Sequence, residues 1–221
     1  MDEWAVAGDG AMTGYEAGFL VQNRGQRLFL VCCVEEPSAR EMLRGVLPRL
    51  GLQEGQDFQV ILFQGKQDLE KQLELRLRAW QRPNSVFLVL RDQDSGDCAT
   101  VKQSLMWKLV ASGQKGLVRI ACRELESFYL GDLAAVEAGL GLSGLAQQQQ
   151  GRKFREPDRL NNAKQELKQL TKQGYQEVAG SRAIAPLLNL DPPVNRSRSF
   201  QVLLEGIAQL LALDLSTLLE N

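Results

Sequence analysis

Carboxylates gather just after three of the four short apolar runs in this chain. Glu35 and Glu36 follow Arg27–Val34. Asp92, Asp94 and Asp97 follow Val86–Leu90, in the stretch Leu90-Arg-Asp-Gln-Asp-Ser-Gly-Asp97. Glu124 and Glu126 follow Leu117–Ala121. Like charges brought together repel and raise one another's pKa unless a cation neutralises them. The simplest such cation is Mg²⁺, with Mn²⁺ as its substitute; Mg²⁺ is a hard ion that takes oxygen ligands and often needs only one or two carboxylates. In an extended stretch, residues two apart share a face, so Asp92 and Asp94 are expected to reach one ion. Asp97, just ahead of a helical pattern, reads equally as a helix N-cap.

Other chemistries are excluded by composition. The 221 residues contain no histidine, which removes Ser-His-Asp and Cys-His catalysis and His-ligated zinc. The four cysteines (Cys32, Cys33, Cys98 and Cys122) show no C-x-x-C spacing, and a reduced, cytoplasmic protein is the simple reading. No G-x-x-x-x-G-K-[ST] phosphate loop occurs. The net charge of −1 argues against a strongly basic nucleic-acid coat, though not against a local patch. No run reaches the roughly 18 apolar residues of a membrane span.

The elements that would carry the acids alternate in type. Arg27–Val34, Phe58–Phe63, Val86–Leu90 and Leu117–Ala121 read as short buried strands. Between them, Ala39–Leu50, Gln67–Trp80 and Cys98–Val110 have helical spacing, and another helix is expected near Glu124–Leu130. Pro37 stops the first strand; Ser38 with Glu41 reads as a capping box. This pattern predicts an α/β fold with a parallel sheet flanked by helices. In such sheets, sites form outside the carboxyl ends of the strands, so at least five carboxylates should share one rim.

The sheet domain is expected over residues 27–142, after a flexible glycine-rich arm at 1–26. A Gln-rich linker follows at 143–157, around Gln147–Gln150. Residues 158–221 read as a helical extension of the same domain. Its first part is basic, with seven Lys or Arg against three acids between Arg152 and Lys172. Helices are expected over Asp158–Lys172, with Asp158 as a cap, over Ser181–Leu188 and over Phe200–Leu213. Lys164, Arg196 and Arg198 are candidate phosphate contacts, with Ser197 and Ser199 as hydrogen-bond donors to nucleic acid.

Val34-Glu-Glu-Pro-Ser-Ala39 after one strand, and Asp92-Gln-Asp-Ser-Gly-Asp97 after a later one, resemble the glutamate and Asp-x-Asp motifs of Toprim domains. Those domains occur in topoisomerases, primases, nucleases and small RNA maturases. The chain further resembles the domain-of-unknown-function family 4276 at Glu35-Glu-Pro-Ser38, Asp92-x-Asp94, Arg123-Glu-Leu-Glu-Ser-Phe-Tyr-Leu-Gly-Asp132, Gly180–Ala185 and Asn195–Phe200. The resemblance implies a Toprim-like fold with Glu35 as general acid/base. It also implies Mg²⁺ or Mn²⁺ on Glu35, Asp92, Asp94, Asp97 and Glu126, and Lys164 is taken as a second catalytic residue. A metal-dependent nuclease acting on DNA or RNA follows, with a separate ATPase in an anti-phage system and a second copy of the chain as the partners to expect. The alternatives are an inactive partner module and a small RNA-processing enzyme. Strand passage would need a larger body than this chain, whose tyrosines are Tyr15, Tyr129 and Tyr175.

Overall fold

A computed structural model describes residues 28–191 and 194–213; the expected arm at 1–26 lies outside them. The chain runs β1 (Phe29–Val34), α1 (Pro37–Val46), β2 (Phe58–Leu62), α2 (Lys66–Arg78), β3 (Ser85–Asp92), α3 (Cys98–Ala111) and β4 (Gly116–Ala121). It continues through α4 (Glu126–Leu130), α5 (Leu133–Gly139), α6 (Ala163–Leu170), α7 (Glu177–Ile184) and α8 (Arg198–Leu211). The four strands form one parallel sheet in the order β2-β1-β3-β4. This is the expected α/β architecture.

Side chains alternate across the sheet and divide the core in two. Leu30, Cys32, Val34, Val86, Leu88 and Leu90 face a layer built from α1 and α4–α8. Phe29, Val31, Cys33, Phe87 and Val89 face α2 and α3, through Leu69, Leu73, Leu105 and Leu109. Both faces are covered, which is why β1 and β3 are apolar almost throughout. The last helix lies on β4, where Arg119 Nε donates to the Val202 carbonyl at 3.1 Å. A Cβ at Gly206 would stand 2.6 Å from that guanidinium, so only glycine allows this approach.

Three local expectations need correction. The capping box at Ser38 and Glu41 does not form. Glu36 occupies the N-cap position of α1, Pro37 takes the first helical turn, and Ser38 Oγ donates to Glu36 Oε2 at 3.0 Å. Proline suits that turn because its fixed φ is helical and its missing N–H would have no partner there. The helix expected from Asp158 starts at Ala163, because Asp158 is engaged elsewhere: its carboxylate accepts from Ser197 Oγ at 2.6 Å and Ser199 N–H at 2.7 Å. The glutamine run forms a 3₁₀ turn over Ala146–Gln150. There Gln149 accepts from Leu133 N–H at 2.7 Å and donates to the carbonyls of Leu130 and Phe154.

Candidate active site

The carboxyl ends of β1 and β3 are neighbours, since Val34 pairs with Leu90. The two glutamates that follow β1 continue its alternation and leave toward opposite faces. Glu35 joins the α2 side, where it is buried. Its Oε1 accepts the backbone N–H of Asp92 at 3.0 Å, and its Oε2 lies 3.9 Å from Arg91 Nε. Burial pushes the Glu35 acid up to about 7, with the Asp92 amide and Arg91 pulling it back and the charges of Asp94 and Glu36 adding to the rise. Arg91 also reaches Glu70 at 3.1 Å and Asp94 at 3.9 Å. Asp94 pairs with Lys66 at 3.0 Å.

Asp92 points to the other face, as its place in the β3 alternation requires. Its Oδ2 accepts the Leu125 N–H at 3.2 Å, which aims the turn after β4 at the site. Burial holds the Asp92 acid well above the usual carboxylate range, and the charges of Glu36, Glu126 and Glu35 raise it further. Glu126, at the start of α4, is 1% exposed. Its Oε1 accepts from the Tyr175 hydroxyl at 3.0 Å, while its Oε2 is buried with no hydrogen-bond partner. Burial pushes Glu126 up to about 7, against the pull of Lys164. Burial disfavours the Lys164 ammonium, yet the charges of Glu126, Glu36 and Glu177 outweigh that and raise its pKa. Glu124 Oε2 accepts the Lys164 backbone N–H at 2.7 Å, placing a carboxylate at the N-terminus of α6. Glu177 binds the ammonium groups of Lys164 and Lys168 at 3.3 and 3.2 Å.

The expected acids therefore form two groups rather than one. Glu36, Asp92, Glu126 and Lys164 make one; Glu35, Arg91, Asp94 and Lys66 make the other. Asp92 and Asp94 are not brought to one side. The strand ends at Asp92, and Asp94 takes a left-handed φ of 55°, so the alternation that placed both on one face no longer applies. Asp97 is exposed and caps α3, its Oδ2 accepting from Thr100 N–H at 2.7 Å. Ser197 and Ser199 are buried. Ser197 caps α8 through the Phe200 N–H, Ser199 Oγ accepts from Cys122 N–H, and both serines bind Asp158, so neither is presented to a nucleic acid. Arg196 and Arg198 are exposed, and Arg198 pairs with Glu205 at 2.8 Å.

The sequence leaves open which of Glu35 and Glu36 faces the other acids; the charge of Glu36 acts most strongly on Asp92. The residues that sequence reasoning missed are Tyr175 on Glu126, and Arg91 with Lys66. Nothing in the local sequence marks Tyr175, which lies 49 residues from the glutamate it binds.

The chain matches the family "Domain of unknown function (DUF4276)" over residues 34–208. It belongs to that family. No curated protein matches it. Among solved structures, the C-terminal region of the Burkholderia pseudomallei OLD protein is similar at a TM-score of 0.48 and 17% identity, over 81% of this chain and 98% of that chain. In this DUF4276 chain the matched span begins at the last residue of β1 and ends within α8. It contains every residue of both groups.

Does the first group suit a divalent ion? Its donors are all carboxylate oxygens, the chemistry that Mg²⁺ and Mn²⁺ prefer. Asp92 and Glu126 are held toward their neutral forms, and Glu126 Oε2 is a buried acceptor without a donor. Among the described residues, no three acidic or thiol side chains already stand in metal-holding geometry. The two buried carboxylates Asp92 and Glu126 offer the one or two oxygen ligands from protein with which Mg²⁺ is commonly held. Among the described residues no helix is long and apolar enough to cross a membrane.

Proposed function

We propose that this protein is a Mg²⁺-dependent, Toprim-like nuclease that hydrolyses phosphodiester bonds in DNA or RNA. The observation that carries the reading is the buried, mutually repelling pair Asp92 and Glu126 at the strand ends, with Glu36 and Lys164 beside it and one Glu126 oxygen unpartnered. Asp92 and Glu126 are the ligands, with Glu36 as the third acid. A divalent ion bound there supplies positive charge for a phosphoryl oxygen and lowers the pKa of water. The chain's own residues do the rest. Lys164 presents an ammonium that favours phosphate. Glu35, in the second group, accepts the Asp92 N–H through Oε1 and so fixes the backbone that carries the Asp92 carboxylate. Arg91 in turn holds the Glu35 carboxylate in place.

The resemblance to Toprim chains that work beside a separate ATPase extends the proposal to such a partner, in the cytoplasm and in anti-phage defence. A second reading has one observation in its favour. Asp92 and Glu126 are 7% and 1% exposed, and no three acids are in metal-holding geometry among the described residues, which also suits an inactive interaction module.

The deciding experiment incubates the full chain with plasmid, single-stranded DNA and structured RNA, in Mg²⁺ and in Mn²⁺, with and without a candidate ATPase. Cleavage lost in Asp92→Asn and in Glu126→Gln supports the nuclease. Cleavage that survives both substitutions sinks the site, and no cleavage under any condition leaves the module reading standing.

A further inference from the structure

Tyr175 lies in the turn between α6 and α7 and is fully buried. Its hydroxyl donates to Glu126 Oε1 at 3.0 Å, which leaves Oε2 of that carboxylate buried and without a partner among the described residues. The phenol is held from several sides. The Tyr175 N–H donates to Thr171 Oγ1 at 3.1 Å, and the Thr171 hydroxyl donates in turn to the Leu167 carbonyl at 2.8 Å. Tyr129 packs on the same ring, with centroids 6.1 Å apart and planes inclined by 56°. The backbone of α7 closes in as well: a Cβ at Gly180 would stand 2.4 Å from the Tyr175 ring. Two residues after Tyr175, Glu177 binds the Lys164 ammonium at 3.3 Å, so this one turn places partners on both Glu126 and Lys164.

Asp92 is restrained in a similar way. Its Oδ2 accepts the Leu125 N–H at 3.2 Å, so each of the two buried carboxylates has one oxygen on a fixed donor and one oxygen to spare. For Glu126 to grip an ion with both oxygens, its carboxylate would have to turn and break the phenol bond, because the clamped ring cannot follow. That restraint discriminates between cations. Mg²⁺ is small, demands near-octahedral geometry, keeps several waters and takes only one or two carboxylates from protein. Ca²⁺ is larger, collects about six to eight oxygens and readily takes both from one carboxylate. A site built of single, rigidly aimed oxygens therefore suits the smaller ion. Donors that hold a metal's ligands commonly cost about 10–100-fold in metal affinity when they are removed.

We propose that Tyr175 is a positioning residue that sets the cation preference of this site: by holding Glu126 to one ligating oxygen, it favours Mg²⁺ over Ca²⁺. This rests on the nuclease reading, in which Asp92 and Glu126 are the ligands, and it adds which cation the site disfavours and the residue responsible. Tyr175 acts only through Glu126. Tyr129 supplies a control: its ring packs on Tyr175, yet its own hydroxyl has no hydrogen-bond partner among the described residues. Removing that hydroxyl therefore leaves the restraint on Glu126 intact. Thr171→Val supplies a second probe of the restraint, since it deletes the acceptor of the Tyr175 N–H and loosens the ring without touching Glu126.

The test titrates the full chain with Mg²⁺ and, separately, with Ca²⁺ by isothermal calorimetry. It compares the wild type with Tyr175→Phe, Thr171→Val and Tyr129→Phe, and circular-dichroism melting in metal-free buffer shows that each variant is folded. The wild type should bind Mg²⁺ more tightly than Ca²⁺. Tyr175→Phe should weaken Mg²⁺ about tenfold and leave Ca²⁺ within about threefold, because the released Glu126 can turn both oxygens to the larger ion. Thr171→Val should lower the Mg²⁺/Ca²⁺ ratio in the same direction, and Tyr129→Phe should keep the wild-type ratio. An unchanged ratio in folded Tyr175→Phe, or an equal fall in Tyr129→Phe, would overturn the role of Tyr175 while leaving the ligands as assigned. A wild type that binds neither ion would overturn the ligand assignment and the role of Tyr175 together.

Discussion

Glu126 offers the sharpest test, because its environment makes its charge expensive. Burial raises its folded-state pKa from 4.5 to about 7. In the unfolded chain it returns to the ordinary value. Between those two pH values the folded state holds a proton that the unfolded state has lost, so stability falls as pH rises through that window. At about 1.36 kcal/mol for each pH unit, the loss is about 3 kcal/mol once the pH exceeds the folded-state value. Below pH 4.5 both states are protonated and nothing is lost. Glu126→Gln keeps the shape and an acceptor for the Tyr175 hydroxyl but carries no charge. In metal-free buffer it should melt about 6–12 °C above the wild type at pH 8 and close to it at pH 4.5, for a chain of this size. The measurement is circular-dichroism melting across that range. Adding Mg²⁺ should raise the wild-type midpoint at pH 8, since a ligand that binds the folded state stabilises it. The variant should not respond. Equal midpoints for the two proteins at pH 8 would refute the argument, because Glu126 would then not be a buried charge at all.

Further expectations follow from the same contacts. Asp92→Asn should abolish the Mg²⁺-dependent rise in melting temperature while Asp94→Asn preserves it, since Asp94 belongs with Lys66 on the other face; calorimetry of both variants with and without Mg²⁺ checks this. Tyr175→Phe removes the donor on Glu126 and leaves its carboxylate less satisfied, at a cost of about 1–3 kcal/mol in urea unfolding, and it should extend the pH-dependent loss of stability to higher pH. Asp158→Ala strands the Ser197 hydroxyl and the Ser199 amide beneath α8; a similar cost of about 1–3 kcal/mol is expected in urea, with no change in the Mg²⁺ response.

The strands were legible because burial on both faces writes a plain signal. RLFLVCCV and VFLVL admit little else, and three strand ends correctly pointed to the acids. Asp97 read equally as a cap or a ligand, and its bond to Thr100 N–H decides for the cap. The errors arose where side chains answer to partners far along the chain. Ser197 and Ser199 look like polar surface until Asp158, 39 and 41 residues away, is seen to bind them. Asp92 and Asp94 looked paired because period-two spacing was carried past the residue where the strand stops. Glu35 and Glu36 are adjacent in sequence, yet Glu35 turns to Arg91 and the Asp92 N–H while Glu36 caps α1 and takes the Ser38 hydroxyl.

The seating of α8 on β4 has a bearing on biosynthesis. Among the described residues β4 is an outermost strand, buried along its whole length, and part of that cover comes from α8, synthesised 77 residues or more after it. A chain halted before Arg198 would leave bare the face of this border strand that α8 covers, while α3 still packs on Val118 and Ile120, and an uncovered border strand is the kind of template on which chains associate. Fragments ending ahead of that helix should therefore collect in inclusion bodies when expressed, while the full chain stays in the supernatant.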